Sequence, residues 1–377
     1  MTLGIIGGGQ LGLMMLEPAR RLGIRTCVID PAADAPCARR ADVFILGSLS
    51  DPEKLRDVVR RSDVTTYEIE HIETSTLQSL AGAGAVILPS PASLFLIQDK
   101  LVQRRLLADR SLPVPDFEAV TTETSAGGSR KATSPFGYPV VQKACRGGYD
   151  GKGVFVLRGP EEPLAPVESF WERFVEVELE LSVLVVRSRT GEIRCYDPVE
   201  MQVDAEGSLL RRAIAPARIP PETADYARRL AEATVEVFDS VGVFAVELFL
   251  ARDGRLMVNE VAPRPHNSGH HTIEAAVTSQ FEEHIRAVCG LPLGSTQTRC
   301  PAVTINIVGP PGVPAGPPSY PGIKAVLEEE GAAVHIYGKS EIRPWRKMGH
   351  ITLFGDDLET LLARADRVEA TILRSER

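Results

Sequence analysis

The 377-residue chain has no run of about eighteen apolar residues and opens on a strand-like segment rather than on a basic stretch followed by an apolar one. A membrane helix and an export signal are therefore not expected. Its six cysteines, at positions 27, 37, 145, 195, 289 and 300, form no CxxC pair and no Cys/His ligand spacing. That removes structural zinc and a disulfide framework from consideration and points to a reduced, cytoplasmic protein. Positive charge is not in excess: 42 Lys and Arg against 50 Asp and Glu leave a net charge of -8. No overall field draws the chain to nucleic acid or anionic lipid, although a local basic pocket stays open. Internal repeats and low-complexity tracts are also missing. What is present is an ordinary globular composition, 44% hydrophobic and 24% charged, long enough for two or three domains.

The densest chemistry lies between Phe244 and His271, FAVELFLARDGRLMVNEVAPRPHNSGHH. Asp253-Gly254 between two apolar runs reads as a two-residue type I′ hairpin turn, pairing Arg252 with Arg255, Phe249 with Val258 and Glu247 with Glu260. Cross-strand partners sit about 4.5–5.5 Å apart at Cβ, where two carboxylates repel unless a cation lies between them. Carboxylate ligation completed by water suits Mg²⁺ shared with a nucleotide's phosphates. A solvated glutamate, or one bound to an arginine, is the bland alternative. The strand leads into Pro263, Arg264, His266, Asn267 and His270, a polar loop on a rigid scaffold, which favours the metal reading.

Earlier in the chain, the spacing predicts strands over Leu3–Ile6, Thr26–Asp30, Val43–Leu46 and Val64–Tyr67, with helices over Leu11–Leu22 and Pro52–Arg60. Pro18 should kink the first helix or mark a shift in its start. This alternation argues for a parallel sheet with ligands beyond its carboxyl ends, where Gln10, Asp30 and Glu68-Ile69-Glu70-His71 would meet. Gly7, Gly9 and Gly12 match GxGxxG, and Asp30 stands where a ribose-binding acid would. A nicotinamide or flavin enzyme is therefore an open reading, as is a tight turn serving another ligand or packing alone.

From Gln98 a basic helix carries Lys100, Arg104 and Arg105 and ends before Pro113. The strand-like segment Gly137 to Lys143 precedes RGGYDGKG at 146–153, a glycine-rich loop whose amides can close over phosphates, with Lys143 and Lys152 supplying charge. It lacks the GK[ST] of a Walker loop, and a surface hairpin is its bland reading. Further strands are expected over Val154–Leu157 and Leu181–Val186, and Glu172 to Val175 offers backbone groups beside a carboxylate. A helix over Ala224–Phe238 leads to the Glu247 strand. Strands Ala302–Val308 and Ala333–Tyr337 flank a Pro/Gly-rich surface loop, Gly309 to Pro321. Lys339, Arg343, Arg346, Lys347 and His350 then crowd before a strand Ile351–Phe354. Such a run is either a solvated face or a loop turned inward onto an anion. A helix over Leu358–Thr371 closes the chain.

Taken together, GIIGGGQLG (4–12), TYEIEH (66–71), QDK (98–100), GGYDGKG (147–153), ELS (180–182), NEVAPRPHNSGHHT (259–272) and RKMGHI (346–351) resemble the ATP-grasp superfamily. Within it, the resemblance is closest to the N5-carboxyaminoimidazole ribonucleotide synthetases of purine biosynthesis. It spans nearly the whole chain; the NEVAPRPHNSGH and GGYDGKG runs are its specific parts and GxGxxG is not. It implies a mixed α/β and α+β fold: a Rossmann-like parallel-sheet domain over 1–95, an ATP-grasp domain over 96–298 with a lid near 115–180, and a small β-rich C-terminal domain over 299–377.

The resemblance further implies ATP and Mg²⁺, with Mn²⁺ as an alternative, and a homodimer acting on bicarbonate and aminoimidazole ribonucleotide. Lys100, where the family often has Arg, and Lys143 look like the groups on the ATP phosphates. Gly147, Gly148, Tyr149, Asp150, Gly151, Lys152 and Gly153 resemble the lid over the triphosphate. Glu172 and Val175 resemble the hinge beside adenine, Glu180 the acid on the ribose hydroxyls, and Asn259 with Glu260 the last of the ATP contacts. Glu247 and Glu260 match the metal ligands. Gln10, Leu11, Glu68, Tyr149, Asp150, Lys152, Asn267, Ser268 and Arg346 resemble the ribonucleotide's binding shell, with Arg264, His266 and Lys339 its catalytic members. Met201, where Asn is frequent, Trp345, where Gly is common, Pro18 and Ala262, where many ATP-grasp enzymes place an Asn ligand, depart from the pattern. Other readings to be tested are another ATP-grasp ligase, such as a formate-using glycinamide ribonucleotide transformylase or a biotin carboxylase, a Rossmann oxidoreductase, and a nucleotide-binding regulator without turnover.

Overall fold

The computed structural model describes residues 1–120, 123–124, 130–131, 133–148, 152–204, 209–320 and 322–374. Four short, nearly continuous apolar strands open the chain: β1 (Thr2–Ile6), β2 (Arg25–Asp30), β3 (Val43–Leu46) and β4 (Val64–Tyr67), all parallel, in the order β3-β2-β1-β4. Strands buried on both faces need helices on both sides. Leu3 and Ile5 of β1 pack with Leu11, Met15 and Ala19 of α1 (Gln10–Arg21), whereas Ile6 shares a core with Leu55 and Val58 of α2 (Pro52–Arg60), Leu77 of α3 (Thr74–Gly82) and Leu94 of α4 (Pro91–Gln98). The first helix begins at Gln10 and runs on through Pro18 to Arg21.

Asp99 then caps α5 (Lys100–Asp109), accepting the amides of Leu101 and Val102 at 3.1 Å, which fixes Lys100 at the helix start. An antiparallel sheet follows in the order β5-β10-β8-β9, from β5 (Phe117–Ala119), β8 (Val140–Ala144), β9 (Val154–Leu157) and β10 (Ser169–Arg173). Between β5 and β8, β6 (Glu123–Thr124) and β7 (Arg130–Lys131) make a two-residue ladder. Glu172 lies inside β10 rather than in a connecting segment.

The largest sheet has nine strands. They are β11 (Val177–Arg187), β12 (Ile193–Cys195), β13 (Val199–Val203), β14 (Leu210–Ala215), β15 (Gly242–Ala251), β16 (Leu256–Ala262), β17 (Ala302–Val308), β18 (Ala332–Ile336) and β19 (Lys347–Phe354). Their order is β16-β15-β11-β13-β14-β17-β19-β18, with β12 on β11, so the C-terminal strands extend the central sheet through the β14–β17 ladder. Because β19 starts at Lys347, Lys347 and His350 are strand residues; of the expected basic loop, Lys339, Arg343 and Arg346 remain outside strands. One face of this sheet packs Leu181, Val183, Val246, Leu248, Val258 and Val261 against Leu230, Val235 and Phe238 of α6 (Pro221–Phe238). On the other face, Leu184, Val186, Val243 and Ala245 pack with Ala276, Ala287 and Leu293, and further along the same strands Glu180, Glu247 and Phe249 are turned to the site. The helices α7 (Thr272–Ala275), α8 (Gln280–Cys289), α9 (Ile323–Leu327) and α10 (Leu358–Arg374) complete the chain.

α8 ties the units together. Its Phe281, Ile285 and Val288 cover the α1 face of the N-terminal sheet. Its buried His284 bonds Thr66 Oγ1 of β4 through Nε2 at 2.7 Å and accepts the Val243 amide of β15 at Nδ1, 3.1 Å away.

The β15–β16 turn differs from the expected type I′. Gly254 has φ +83° whereas Asp253 is not left-handed, and the turn closes through Gly254 N–H to the Ala251 carbonyl at 2.8 Å. The ladder consequently starts one residue out of step, pairing Leu250 with Leu256, Phe249 with Met257 and Leu248 with Val258. A bulge at Asn259 restores the step, and Glu247 pairs with Glu260.

Candidate active site

A cleft of about 1090 Å³ lies where the N-terminal sheet, the α5 start, the lid strands, the part of β15 and β16 around Glu247 and Glu260 and the segment after β18 converge. The bulge explains how the central sheet supplies it. Val258 and Val261 both point into the α6 core, so the three-residue step between them turns Asn259 and Glu260 together toward the cleft. Lys143 Nζ reaches Asn259 Oδ1 at 3.0 Å, and Lys100 Nζ reaches Glu260 Oε2 at 2.8 Å. Glu247 faces His266 Nε2 at 3.5 Å. Burial, then the charge of Glu260, pushes the Glu247 carboxyl well above the ordinary range. Two facing carboxylates, one of them so perturbed, with an amide oxygen adjacent, are a donor set that fits a hard divalent cation.

Lys143 is itself held from behind. Glu172 is 2% exposed and lies between Lys143 Nζ and Arg104 Nη2, each at 2.6 Å. Burial favours the neutral acid, but the two cations outweigh it and keep Glu172 below the usual carboxylate range. The Glu172 side chain is thus turned to Lys143 and Arg104 and does not line the cleft; Val175, between β10 and β11, does not line it either. Glu180 does, between its cross-strand neighbours Met201 and Phe249, and burial raises its carboxyl. Val154, Val156, Met201, Val203, Leu210 and Phe249 form an apolar wall around it, which the sequence reading did not foresee. The alternation of Val154 and Val156 next to the glycine loop was the available signal.

In the glycine loop, Gly147 and Gly148 line the cleft. Gly153 accepts the Ala144 amide at 2.8 Å, and a side chain on Gly148 would run into the Lys152 carbonyl, 2.5 Å from its Cβ position. Lys152 does not line the cleft. Tyr149, Asp150 and Gly151 lie outside the described residues.

The N-terminal glycine turn is already occupied. Gly8 N–H donates to Asp30 Oδ2 at 2.8 Å, and Gly9 and Gly12 N–H donate to the two Glu68 oxygens at 2.7 and 2.9 Å. A Cβ at Gly9 would fall 2.6 Å from Glu68 Oε1, so glycine is required there for the acid to approach. These carboxylates fill the positive end of α1 where a dinucleotide's pyrophosphate would sit, which argues against the oxidoreductase reading. Burial raises the Glu68 carboxyl. Gln10, Leu11 and Glu68 border the cleft beside this turn.

Arg264 pairs with Glu70 at 2.8 Å. His266 Nδ1 bonds Ser268 Oγ at 2.9 Å, and burial, then the Arg264 charge, holds the ring neutral. Ser268 is fully buried and bonded to Ser182 at 2.7 Å, so it supports His266 and does not line the cleft. Asn267 does line it, and both polar atoms of its buried amide lack partners among the described residues. Lys339 Nζ donates to the Lys347 carbonyl at 2.6 Å, and Arg346 Nη1 to the Glu341 carbonyl at 2.8 Å; both residues line the cleft. Ser340 bonds Asp34 of the N-terminal unit across it. Trp345 has φ +62°, a left-handed conformation that suits glycine. His350 is no member of the cationic group. It is buried, bonded to Tyr337 at 2.9 Å, stacked between His335 and His270 with centroids 4.3 and 4.5 Å away, and kept neutral by burial.

Glutamates facing each other on a sheet, lysines at a helix start and on a lid strand, and a glycine loop above them define an ATP-grasp ligase. The ATP-grasp domain model matches residues 105–281, between a ribonucleotide synthetase preATP-grasp domain at 1–98 and a phosphoribosylaminoimidazole carboxylase C-terminal domain at 302–364. The N5-carboxyaminoimidazole ribonucleotide synthase of Bacillus subtilis is 40% identical over 362 residues, 93% of this chain and 90% of that protein. The crystal structure of the Thermotoga maritima synthetase superposes with a TM-score of 0.89 at 44% identity, covering 98% of each chain. That of the Aspergillus clavatus synthase in complex with ADP and 5-aminoimidazole ribonucleotide gives 0.88 at 30% identity, covering 99% of this chain and 98% of that one. The chain belongs to the N5-carboxyaminoimidazole ribonucleotide synthase family.

Proposed function

We propose that this chain carboxylates the amine of 5-aminoimidazole ribonucleotide with ATP and bicarbonate, giving N5-carboxyaminoimidazole ribonucleotide, ADP and phosphate in de novo purine biosynthesis. The observation that carries the reading is a single cleft lined both by the glutamate pair with Lys100 and Lys143 and by a second cationic pair, Lys339 and Arg346. Two separate phosphate-binding ends suit one nucleotide triphosphate and one ribonucleotide.

In this reading the apolar wall from Val154 to Phe249 takes adenine, Glu180 takes the ribose hydroxyls, and Lys100 and Lys143 neutralise the phosphates as bicarbonate oxygen attacks the γ-phosphorus and ADP leaves. Glu247 and Glu260 would hold Mg²⁺, or Mn²⁺, which when bound supplies further positive charge against the phosphate oxygens. The product, carboxyphosphate, breaks to phosphate and CO₂, and the chemistry requires that the cleft keep out water that would consume it. Arg264 holds the carboxyl group, and His266, kept neutral, accepts the proton that the amine loses as its nitrogen bonds to carbon. Lys339 and Arg346 hold the ribonucleotide phosphate, with Gln10, Leu11, Glu68 and Asn267 around its remainder. A division near residues 95 and 298, homodimeric assembly and a cytoplasmic location belong to the same reading. The test is ADP release measured with and without aminoimidazole ribonucleotide and bicarbonate. Release that requires both supports the reading; ADP release indifferent to the ribonucleotide, or none at all, overturns it.

A further inference from the structure

We propose that Arg104 is a positioning residue for ATP and metal binding, setting the Asn259 bulge and the Lys143 ammonium from a place outside the cleft lining. The proposal rests on the reading of Glu260 and Lys143 as ATP-site groups. β16 is an edge strand, so on its outer side the backbone of its bulge has no strand to bond and could relax out of step. The preceding helix takes the place of that strand. Arg104 Nη1 donates to the Val258 carbonyl at 2.5 Å, and Nη2 donates to the Asn259 carbonyl at 2.9 Å and to Glu172 Oε2 at 2.6 Å. Next to it, Gln103 accepts the Val261 amide at 3.1 Å and donates to the Val261 carbonyl at 3.4 Å. The Val258 amide is taken by the Pro113 carbonyl at 2.8 Å. The backbone on both sides of Asn259 is thereby fixed from α5 and the segment after it.

One guanidinium consequently governs two features. Through the carbonyls it holds the extra residue that turns Asn259 and Glu260 together to the cleft and keeps Glu260 across from Glu247. Through Glu172 it orients the carboxylate whose other oxygen holds Lys143 Nζ at 2.6 Å. Arg104 is 3% exposed and does not line the cleft. Only a planar fork reaches three acceptors in this arrangement; an ammonium on a shorter reach cannot span them.

The experiment compares Arg104→Met and Arg104→Lys with the unaltered enzyme in ADP release, reading the KM for ATP, the Mg²⁺ concentration for half-maximal rate, the KM for aminoimidazole ribonucleotide, and thermal melting. Glu172 keeps Lys143 as a partner in both variants, so neither leaves an isolated buried charge. Loss of a charge-assisted buried contact predicts that Arg104→Met raises the ATP and Mg²⁺ values about tenfold or more, that Arg104→Lys recovers part of this, and that the ribonucleotide KM stays within about threefold. A folded variant with ATP and Mg²⁺ values within about twofold of the original overturns the proposal. So does an equal loss for both substrates, or failure of both variants to fold, either of which assigns Arg104 to general stability. Failure of the unaltered enzyme to release ADP with Mg²⁺-ATP would remove the ATP-site reading itself, and with it this one.

Discussion

Glu247 stands directly across the ladder from Glu260, and Lys100 lies 2.8 Å from Glu260 Oε2. Without metal this pairing is a source of instability, since two acids share one face of a hairpin. Glu247→Gln and Glu260→Gln should each lower Mg²⁺-dependent ADP release by roughly a hundredfold or more while leaving the fold intact. The sign of the stability effect follows from the raised Glu247 carboxyl, which burial and Glu260 bring to about 8. A group with its folded pKa above its unfolded one stabilises fully only below the unfolded value, and that contribution is lost as pH rises toward the folded value. Melting in a chelator should therefore show Glu247→Gln equal to the original near pH 5 and as stable or more so near pH 8. Near-normal turnover in either variant would remove the metal assignment.

Glu68 and Asp30 fill the amides of the glycine turn. The protein should accordingly show no specific NAD(P) binding, and Asp30→Ala should leave ATP affinity unchanged. Calorimetric titration with each dinucleotide is the check, and saturable micromolar binding would return the oxidoreductase reading to consideration.

Arg346 and Lys339 occupy the end of the cleft away from Lys100 and Lys143 in the proposed division of the two phosphate sites. Arg346→Ala should lose a charge-assisted contact worth about 1.5–3 kcal/mol and raise the ribonucleotide KM roughly ten- to hundredfold. The KM for ATP should barely move, and Arg346→Lys should recover only part of the loss, because an ammonium lacks the guanidinium fork. Steady-state kinetics in both substrates decide the matter. Equal loss of both would mean that the C-terminal strands support the ATP end, and changes within about twofold would return the run to a solvated face.

His284 joins β4 to β15 from inside α8, and burial lowers its pKa to about 3. A histidine kept neutral in the fold contributes stability that is fully present above its unfolded pKa, about 6.5, and is lost as pH falls through that value toward 3. The slope approaches 1.4 kcal/mol per pH unit for this one group. His284→Gln should be less stable at pH 7, by about 1–2 kcal/mol, with the difference shrinking or reversing near pH 4. Denaturant unfolding at the two pH values measures it; a constant difference would mean that His284 is not the group that titrates.

Local patterns alone determined much of this protein. The strand limits Val43–Leu46, Val64–Tyr67, Val154–Leu157 and Ala302–Val308 and the helix Pro52–Arg60 follow from short apolar runs and caps, because those elements are set by neighbours in the chain. The facing of Glu247 and Glu260 was also legible, but through a route the fold does not take: the assumed turn is one residue out of register, and the Asn259 bulge cancels it. Period-two reasoning cannot see two compensating offsets, and only the packing of Val258 and Val261 against α6 requires them. Burial decided the remainder. Glu68, Glu172, Ser268 and His350 look like exposed polar groups in sequence, yet each is enclosed and takes its partner from a distant segment: the amides of Gly9 and Gly12, Arg104 and Lys143, Ser182, and Tyr337 with the stacked rings. The chain sets which side chains are available at each step, but the desolvation that makes Glu172 hold Lys143 exists only once β10, β8 and α5 have closed around it.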